Sequence, residues 1–154
     1  MDGKTLIAYT TKSGATEKTA KKIADVLQTD GLQVDLVNLA KQSPPNLDLY
    51  NNIVVGSGVQ KGEIYPETKA FLAKDFSGKK LAYFTCSGFI YPKTHDETLA
   101  RYATAELANY SNFKPVATEA FGGYLKILGL HVSRKMDMEK VEAWAQELNK
   151  KFAA

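Results

Sequence analysis

Apolar positions along this chain alternate between two rhythms. Thr5-Leu6-Ile7-Ala8-Tyr9 is a continuous apolar run, the pattern of a strand buried on both faces. Ala20, Ile23, Ala24 and Leu27 then recur at helical spacing and predict a helix over about 16–29, stopped by Asp30-Gly31. Leu32, Val34 and Leu36 alternate with polar residues, which predicts a strand with one wet face near a sheet edge. After the breaker Ser43-Pro44-Pro45-Asn46 comes a third, fully buried strand over 52–56. A loop over 57–65 leads to a helix opened by Pro66 and running to about Lys74. Leu81–Thr85 reads as strand four and Val116–Phe121 as strand five, with Pro115 tolerated at its start. Between them, Thr94-His95-Asp96-Glu97 has the form of a capping box for a helix that reaches about Tyr110. Residues 122–135 read as irregular and Leu-rich. Met138, Val141, Trp144, Ala145, Leu148 and Phe152 form one face of a last helix.

Strands that alternate with helices imply an α/β fold with a parallel sheet and helices on both faces. Five strands fit a doubly wound three-layer sandwich of strand order 2-1-3-4-5, and 154 residues suffice for one domain spanning 1–154. In such sheets a ligand binds beyond the carboxyl ends of the strands, where strand order reverses. That rule predicts a site built from three loops, Thr10–Thr16, Ser57–Tyr65 and Thr85–Lys93.

The first loop carries the chemistry. Thr11-Lys12-Ser13-Gly14-Ala15-Thr16 joins the first strand to the first helix. The N–H groups of a first helical turn have no partner within the helix, and the helix dipole adds positive potential. Thr11, Ser13 and Thr16 add hydroxyls, and Gly14 lets the backbone close around a phosphate. Other phosphate motifs do not fit. Gly3-Lys4-Thr5 resembles the tail of a Walker loop but precedes the strand. Gly56-Ser57-Gly58 opens like a dinucleotide fingerprint, yet Lys61 stands where the third glycine belongs. Pro92 replaces the arginine that a tyrosine-phosphatase loop would need after Cys86. A phosphorelay receiver would need acids where Thr10-Thr11 and Ser57 stand.

The other two loops suit a flat ligand. Ser57-Gly58-Val59-Gln60-Lys61-Gly62 has two glycines for close approach, with Tyr65 nearby to stack. Thr85-Cys86-Ser87-Gly88-Phe89-Ile90-Tyr91 combines small polar residues, a glycine and aromatics. Together these loops call for a phosphorylated, planar, partly apolar molecule. At these residues the chain resembles the flavodoxins, whose phosphate loop follows the pattern Thr/Ser-x-Thr/Ser-Gly-x-Thr. The segments Val54–Gly62 and Ala120-Phe121-Gly122-Gly123-Tyr124-Leu125 are similar to the branch that includes the flavodoxin-like protoporphyrinogen oxidases. The resemblance implies a flavodoxin-like fold, FMN as cofactor and electron transfer as function, with a flavin oxidoreductase of the protoporphyrinogen oxidase or quinone reductase type as the alternative. It implies contacts to the flavin from Thr10 to Thr16, from Ser57 to Gly62 and from Thr85, Cys86, Ser87, Gly88, Phe89 and Tyr91. It also implies a peptide that turns toward the flavin ring, with Gly58 and Gly62 as the candidates.

Composition narrows the rest. Hydrophobic residues at 44% and charged residues at 24% are the balance of a soluble globular protein. No apolar run suits a membrane span, and Met1-Asp2-Gly3-Lys4 runs straight into a strand without a leader. One cysteine agrees with a reducing cytoplasm, and with two histidines it cannot form a His/Cys zinc site. Cys86 reads as a small buried residue, and His95 and His131 carry no catalytic assignment. The net charge of +3 comes from scattered lysines rather than a basic stripe, which argues against nucleic acid. It favours an acidic redox partner protein. The oligomeric state stays open.

Overall fold

The computed structural model describes residues 3–12, 14–87, 95–123, 126–127, 130–131 and 136–154. Five parallel strands lie side by side in the order β2 (Val34–Asn38), β1 (Lys4–Thr10), β3 (Tyr50–Gln60), β5 (Lys80–Ser87) and β6 (Ala117–Gly122). This is the expected 2-1-3-4-5 winding, because β4 (Glu63–Ile64) is a short antiparallel addition to the end of β3. The parallel register sets Thr10 beside Ser57, Ser57 beside Thr85, and Thr85 beside Ala120 in one row across the carboxyl edge.

Side-chain alternation divides the core into two layers. Ile7, Val54, Ala82, Phe84 and Phe121 face α1 (Ala15–Thr29) and α5 (Met138–Ala153), which contribute Ile23, Leu27, Trp144, Leu148 and others. Leu6, Ala8, Ile53, Val55, Leu81 and Tyr83 face the opposite layer with Phe71, Phe76, Leu107 and Phe113. That layer holds α2 (Pro66–Leu72), α3 (His95–Leu99) and α4 (Ala105–Leu107). Each fully buried Leu, Ile or Phe contributes about 1.5–3 kcal/mol through removal from water. Phe84 meets Phe121 and Trp144 edge-on, with ring centres 6.0 Å from each. Its ring occupies the space beside Gly56 that a β-carbon there would fill.

Local signals fix the helix ends. α1 stops in a Schellman arrangement: Leu32 N–H donates to Leu27 O, Gly31 N–H donates to Gln28 O, and Gly31 is left-handed at φ +97°. Pro66 opens α2, and Asp137 caps α5 by accepting from Lys140 N–H. Among the described residues β2 pairs only with β1 and leaves Leu36 partly exposed, as its alternation predicts for an edge strand.

Three segments differ from expectation. The third strand does not end at Gly56 but continues to Gln60, so 57–60 are strand rather than loop. Lys61 and Gly62, at φ +53° and +77°, close a tight hairpin that pairs Val59 with Ile64 and Gln60 with Glu63. The helix after β5 runs unbroken from His95 to Leu107 but widens into a π-helical turn over Ala100–Thr104, between α3 and α4. That turn buries Ala103 and offers the Tyr102 carbonyl to the hydroxyl of the buried Tyr83, at 2.9 Å. The stretch expected to be irregular contains a short hairpin, β7 (Lys126–Ile127) with β8 (Leu130–His131). Thr94 of the capping box lies outside the described residues.

Among the described residues, no helix is long and apolar enough to cross a membrane, and no three His, Cys, Asp or Glu residues group to hold a metal.

The packing around Phe84 makes a first prediction. Gly56→Ala should cost about 1–3 kcal/mol in a urea melt, because the ring of Phe84 must move. Adding Phe84→Leu to Gly56→Ala should cost less than the sum of the two single changes. Strict additivity would show that the ring does not hold this space. A second prediction concerns alkali. Burial first, then hydrogen bonds to Glu17, Asp35 and Glu106, pushes the phenols of Tyr9, Tyr50 and Tyr110 up to about 12. A raised folded-state value favours the protonated form, so this stabilisation is complete below about pH 10 and is lost as pH rises toward about 12. The urea midpoint should fall through that window while phenolate absorbance appears together with unfolding. Full phenol titration of a still-folded chain would contradict this.

Candidate functional site

The turn from β1 into α1 forms one wall of the site. Thr11 Oγ1 accepts from Gly14 N–H at 2.9 Å and draws the loop tight. Gly14 is the helix N-cap at φ +93° and has no side chain to cap with. The first intrahelical donor is Lys18 N–H, which bonds to Gly14 O at 3.0 Å, so the N–H groups of Ala15, Thr16 and Glu17 precede the helical ladder. Glu17 does not reach back to them. Its carboxylate accepts from Tyr9 Oη at 3.1 Å and pairs loosely with Lys21. The first-turn N–H groups of α1 and the positive end of its dipole therefore meet at this loop. Ser13 lies outside the described residues.

Thr10 and Ser57, both expected at the ligand, turn their hydroxyls into the protein. Thr10 Oγ1 lies 2.7 Å from Thr68 Oγ1 on α2 and 3.2 Å from Ser57 Oγ. Ser57 Oγ donates to Gly58 O and accepts from Tyr65 N–H. All three hydroxyl residues are buried. They tie β1, β3 and α2 into a polar floor, and only their backbone is left to face a ligand. Thr85 continues the row on β5. Its Oγ1 is fully buried and is the one buried side-chain polar atom without a hydrogen bond among the described residues. Thr68 was not evident from sequence; a Thr within an apolar helix face is the only hint.

The β3–β4 hairpin forms the second wall. A β-carbon at Gly58 would sit 3.0 Å from the ring of Tyr65 and 3.3 Å from Thr16 Oγ1. Thr16, itself buried, thus points its hydroxyl across the cleft toward β3. Tyr65 is folded down against Gly58, and burial, then Glu67, raises its phenol above the ordinary value. Lys12 crosses between the walls, its Nζ 2.7 Å from Gln60 Oε1 and 5.3 Å from the centre of the Tyr65 ring. Arg101, which the sequence did not flag, approaches the turn: its guanidinium is 3.2 Å from the position of a β-carbon at Gly62. The π-helical turn carries it there.

The third wall begins at the end of β5. Cys86 points toward α1, with Sγ 3.5 Å from Thr19 Oγ1, and only its backbone belongs to the strand end. Burial pushes its thiol up to about 11, against the smaller opposite effect of hydrogen bonds with Thr19 and Thr16. A β-carbon at Gly123 would touch Ala15 and the Ser87 backbone at 3.4 Å, so β6, β5 and the start of α1 converge there. Gly88, Phe89 and Tyr91 lie outside the described residues, as does Tyr124. Beside this wall, His95 Nε2 is 2.5 Å from Glu119 Oε1, and Lys140 Nζ is 3.8 Å from the same oxygen. Sequence spacing gave no sign of this cluster, because β6 alone brings Glu119 to the head of α3.

First-turn N–H groups ahead of the helical ladder and the closed turn suit a phosphate, and the close backbone at Gly58 suits a thin planar group. Comparison with known proteins places the chain in a family. A family model described as "Flavodoxin domain" matches residues 6–151. Protoporphyrinogen IX dehydrogenase [quinone] of Escherichia coli (strain K12) is 30% identical over 71 residues, which is 46% of this chain and 39% of that protein. The match thus spans well under half the length of that relative. Oxidised Flavodoxin 2 from Bacillus cereus superimposes with a TM-score of 0.70 at 24% identity, over 97% of this chain and 100% of that one. A mutant flavo di-iron protein from Thermotoga maritima superimposes with a TM-score of 0.66 at 18% identity, over 99% of this chain and 36% of that one.

The Cys86 geometry makes a direct prediction. A buried thiol with a raised pKa holds almost no thiolate near neutrality. Reaction with an aromatic disulfide reagent should be no faster than the opening of the fold, and should become immediate in urea. Rapid labelling of the native protein would contradict the placement of Cys86 in the core.

Proposed function

The chain belongs to the flavodoxin family, and from that premise we propose that it binds FMN at the ends of β1, β3 and β5 and transfers electrons through it. The observation that carries this reading is the α1 terminus, whose N-cap has no side chain and whose first-turn N–H groups stand ahead of the helical ladder. Thr11 and the backbone of 14–17 would hold the phosphate. Lys12 adds a positive charge at the same loop. Backbone groups of Gly58–Gly62 would meet one edge of the ring, where the left-handed Gly62 allows a peptide to turn at little cost. The residues present therefore fit the group. Bound FMN supplies one- and two-electron transfer. The chain's own residues bind and orient it, and the floor of Thr10, Ser57 and Thr68 holds the walls in register. A reducing cytoplasm suits the single unpaired cysteine.

The 71-residue similarity to protoporphyrinogen IX dehydrogenase [quinone] favours a second reading, an FMN-dependent oxidoreductase acting on a porphyrinogen or a quinone. Turnover with such a small substrate distinguishes it from a carrier, which turns over only with a protein partner.

Flavin affinity tests the first reading. Quenching of flavin fluorescence should report binding of FMN about a hundredfold tighter than riboflavin, since the phosphate accounts for roughly 3 kcal/mol. Thr11→Ala should narrow that ratio while leaving riboflavin affinity in place. Equal binding of the two flavins, or of neither, would overturn the site. The positive charges at Lys12 and Lys61 also favour the reduced, negatively charged ring. The potential of the second electron should lie above that of an acidic flavodoxin measured alongside. A lower value would contradict this electrostatic reading.

A further inference from the structure

Cations outnumber acids around the β3–β4 hairpin. Lys12, Gln60, Lys61, Glu63, Tyr65 and Lys69 line a shallow concavity of about 360 Å³ on its outer flank. Arg101 reaches the turn of the same hairpin, 3.2 Å from the position of a β-carbon at Gly62. Lys69 is paired with Glu63 at 3.4 Å. Lys12 has only the neutral Gln60 and the face of Tyr65, and Lys61 and Arg101 have no ion pair among the described residues. Glu67 is the other acid of the concavity. Four cations therefore stand against two acids. Lys61 also sits at the first central position of a two-residue turn with φ +53°, where Asn or Gly is more stable. The turn itself gives no reason for a lysine.

The charges do not converge on one point. Lys12 lies over Tyr65, Lys61 at the tip, Lys69 beside Glu63 and Arg101 against Gly62. A single small anion would satisfy one or two of them. An acidic protein segment, with carboxylates spread along it, would meet Lys12, Lys61 and Arg101 together and compete with Glu63 for Lys69. We propose that the hairpin and its flanks are the docking surface for an acidic partner protein, engaged next to the flavin edge. The proposal rests on the FMN reading for its purpose, and its geometry stands on the cation placement. Lys61 would enter the partner surface first, Lys12 and Arg101 would flank it, and the contact would weaken as salt screens it.

Nuclear magnetic resonance of the FMN-loaded, nitrogen-labelled protein tests this with an oligoglutamate peptide as probe. The expected result is shift changes over residues 60–69, Lys12 and Arg101. Affinity should fall roughly tenfold in the double variant Lys69→Glu, Arg101→Glu at low salt. The neutral pair Lys69→Gln, Arg101→Gln should give a smaller loss and guards against a folding defect. Shifts confined to the α1 lysines Lys18, Lys21 and Lys22, or no binding, would overturn the proposal. Inorganic phosphate producing the same shifts at the same residues would also overturn it, in favour of a small-anion site. Flavin affinity, measured separately, keeps the two readings apart: peptide binding by a chain that ignores FMN would leave the docking surface and remove the cofactor.

Discussion

The lateral register of β1, β3 and β5 is the constraint on which the rest depends. It sets Thr10, Ser57 and Thr85 in one row at the carboxyl edge of the sheet. Two of these hydroxyls, with Thr68, bond to one another under cover of the protein. An unmade hydrogen bond in such a place costs about 1–3 kcal/mol, so a slip of any one strand would leave several groups unsatisfied at once. The network pins α2 to β1, and through Tyr65 N–H it pins the start of α2 to β3. Both walls of the cleft take their spacing from this floor.

Above the floor, the site is built mainly from backbone. The loop end of α1 has a glycine cap, β3 passes a glycine under Tyr65, and the hairpin turns on two left-handed residues. Such a site binds through N–H groups and shape, and it leaves side chains free to set the field around it. Here that field is positive, from Lys12, Lys61 and Arg101. The single cysteine, Cys86, is sealed against α1 with its thiol held protonated by burial. The chemistry under this account belongs to a bound group, and partner choice belongs to the rim.

Much of this could be read from the residues. Buried runs and helical spacing give the strand order, the helix order and the loop that opens α1, because each rests on a local pattern. The hairpin is hidden because the glycines of 57–62 read as a loop, whereas Gly58 makes room for Tyr65 within a continuing strand. The π-helical turn leaves no local sequence pattern; its Tyr102 carbonyl accepts from the hydroxyl of the distant Tyr83. For the same reason Arg101, Thr68 and the His95–Glu119 contact were invisible: each joins elements far apart in sequence. Thr10 and Ser57 show the opposite limit. Their type and place suggest ligand contacts, and only the fold reveals that their hydroxyls turn inward.

The central claim is that the start of α1 holds a phosphate away from water. Phosphorus resonance of the FMN complex measures this directly. A phosphate gripped by backbone N–H groups stays a dianion, so its resonance should not move between about pH 5.5 and pH 8, across the free group's second pKa of about 6. A resonance that titrates like that of free FMN would mean the phosphate lies in solvent, and the proposed cradle would be wrong.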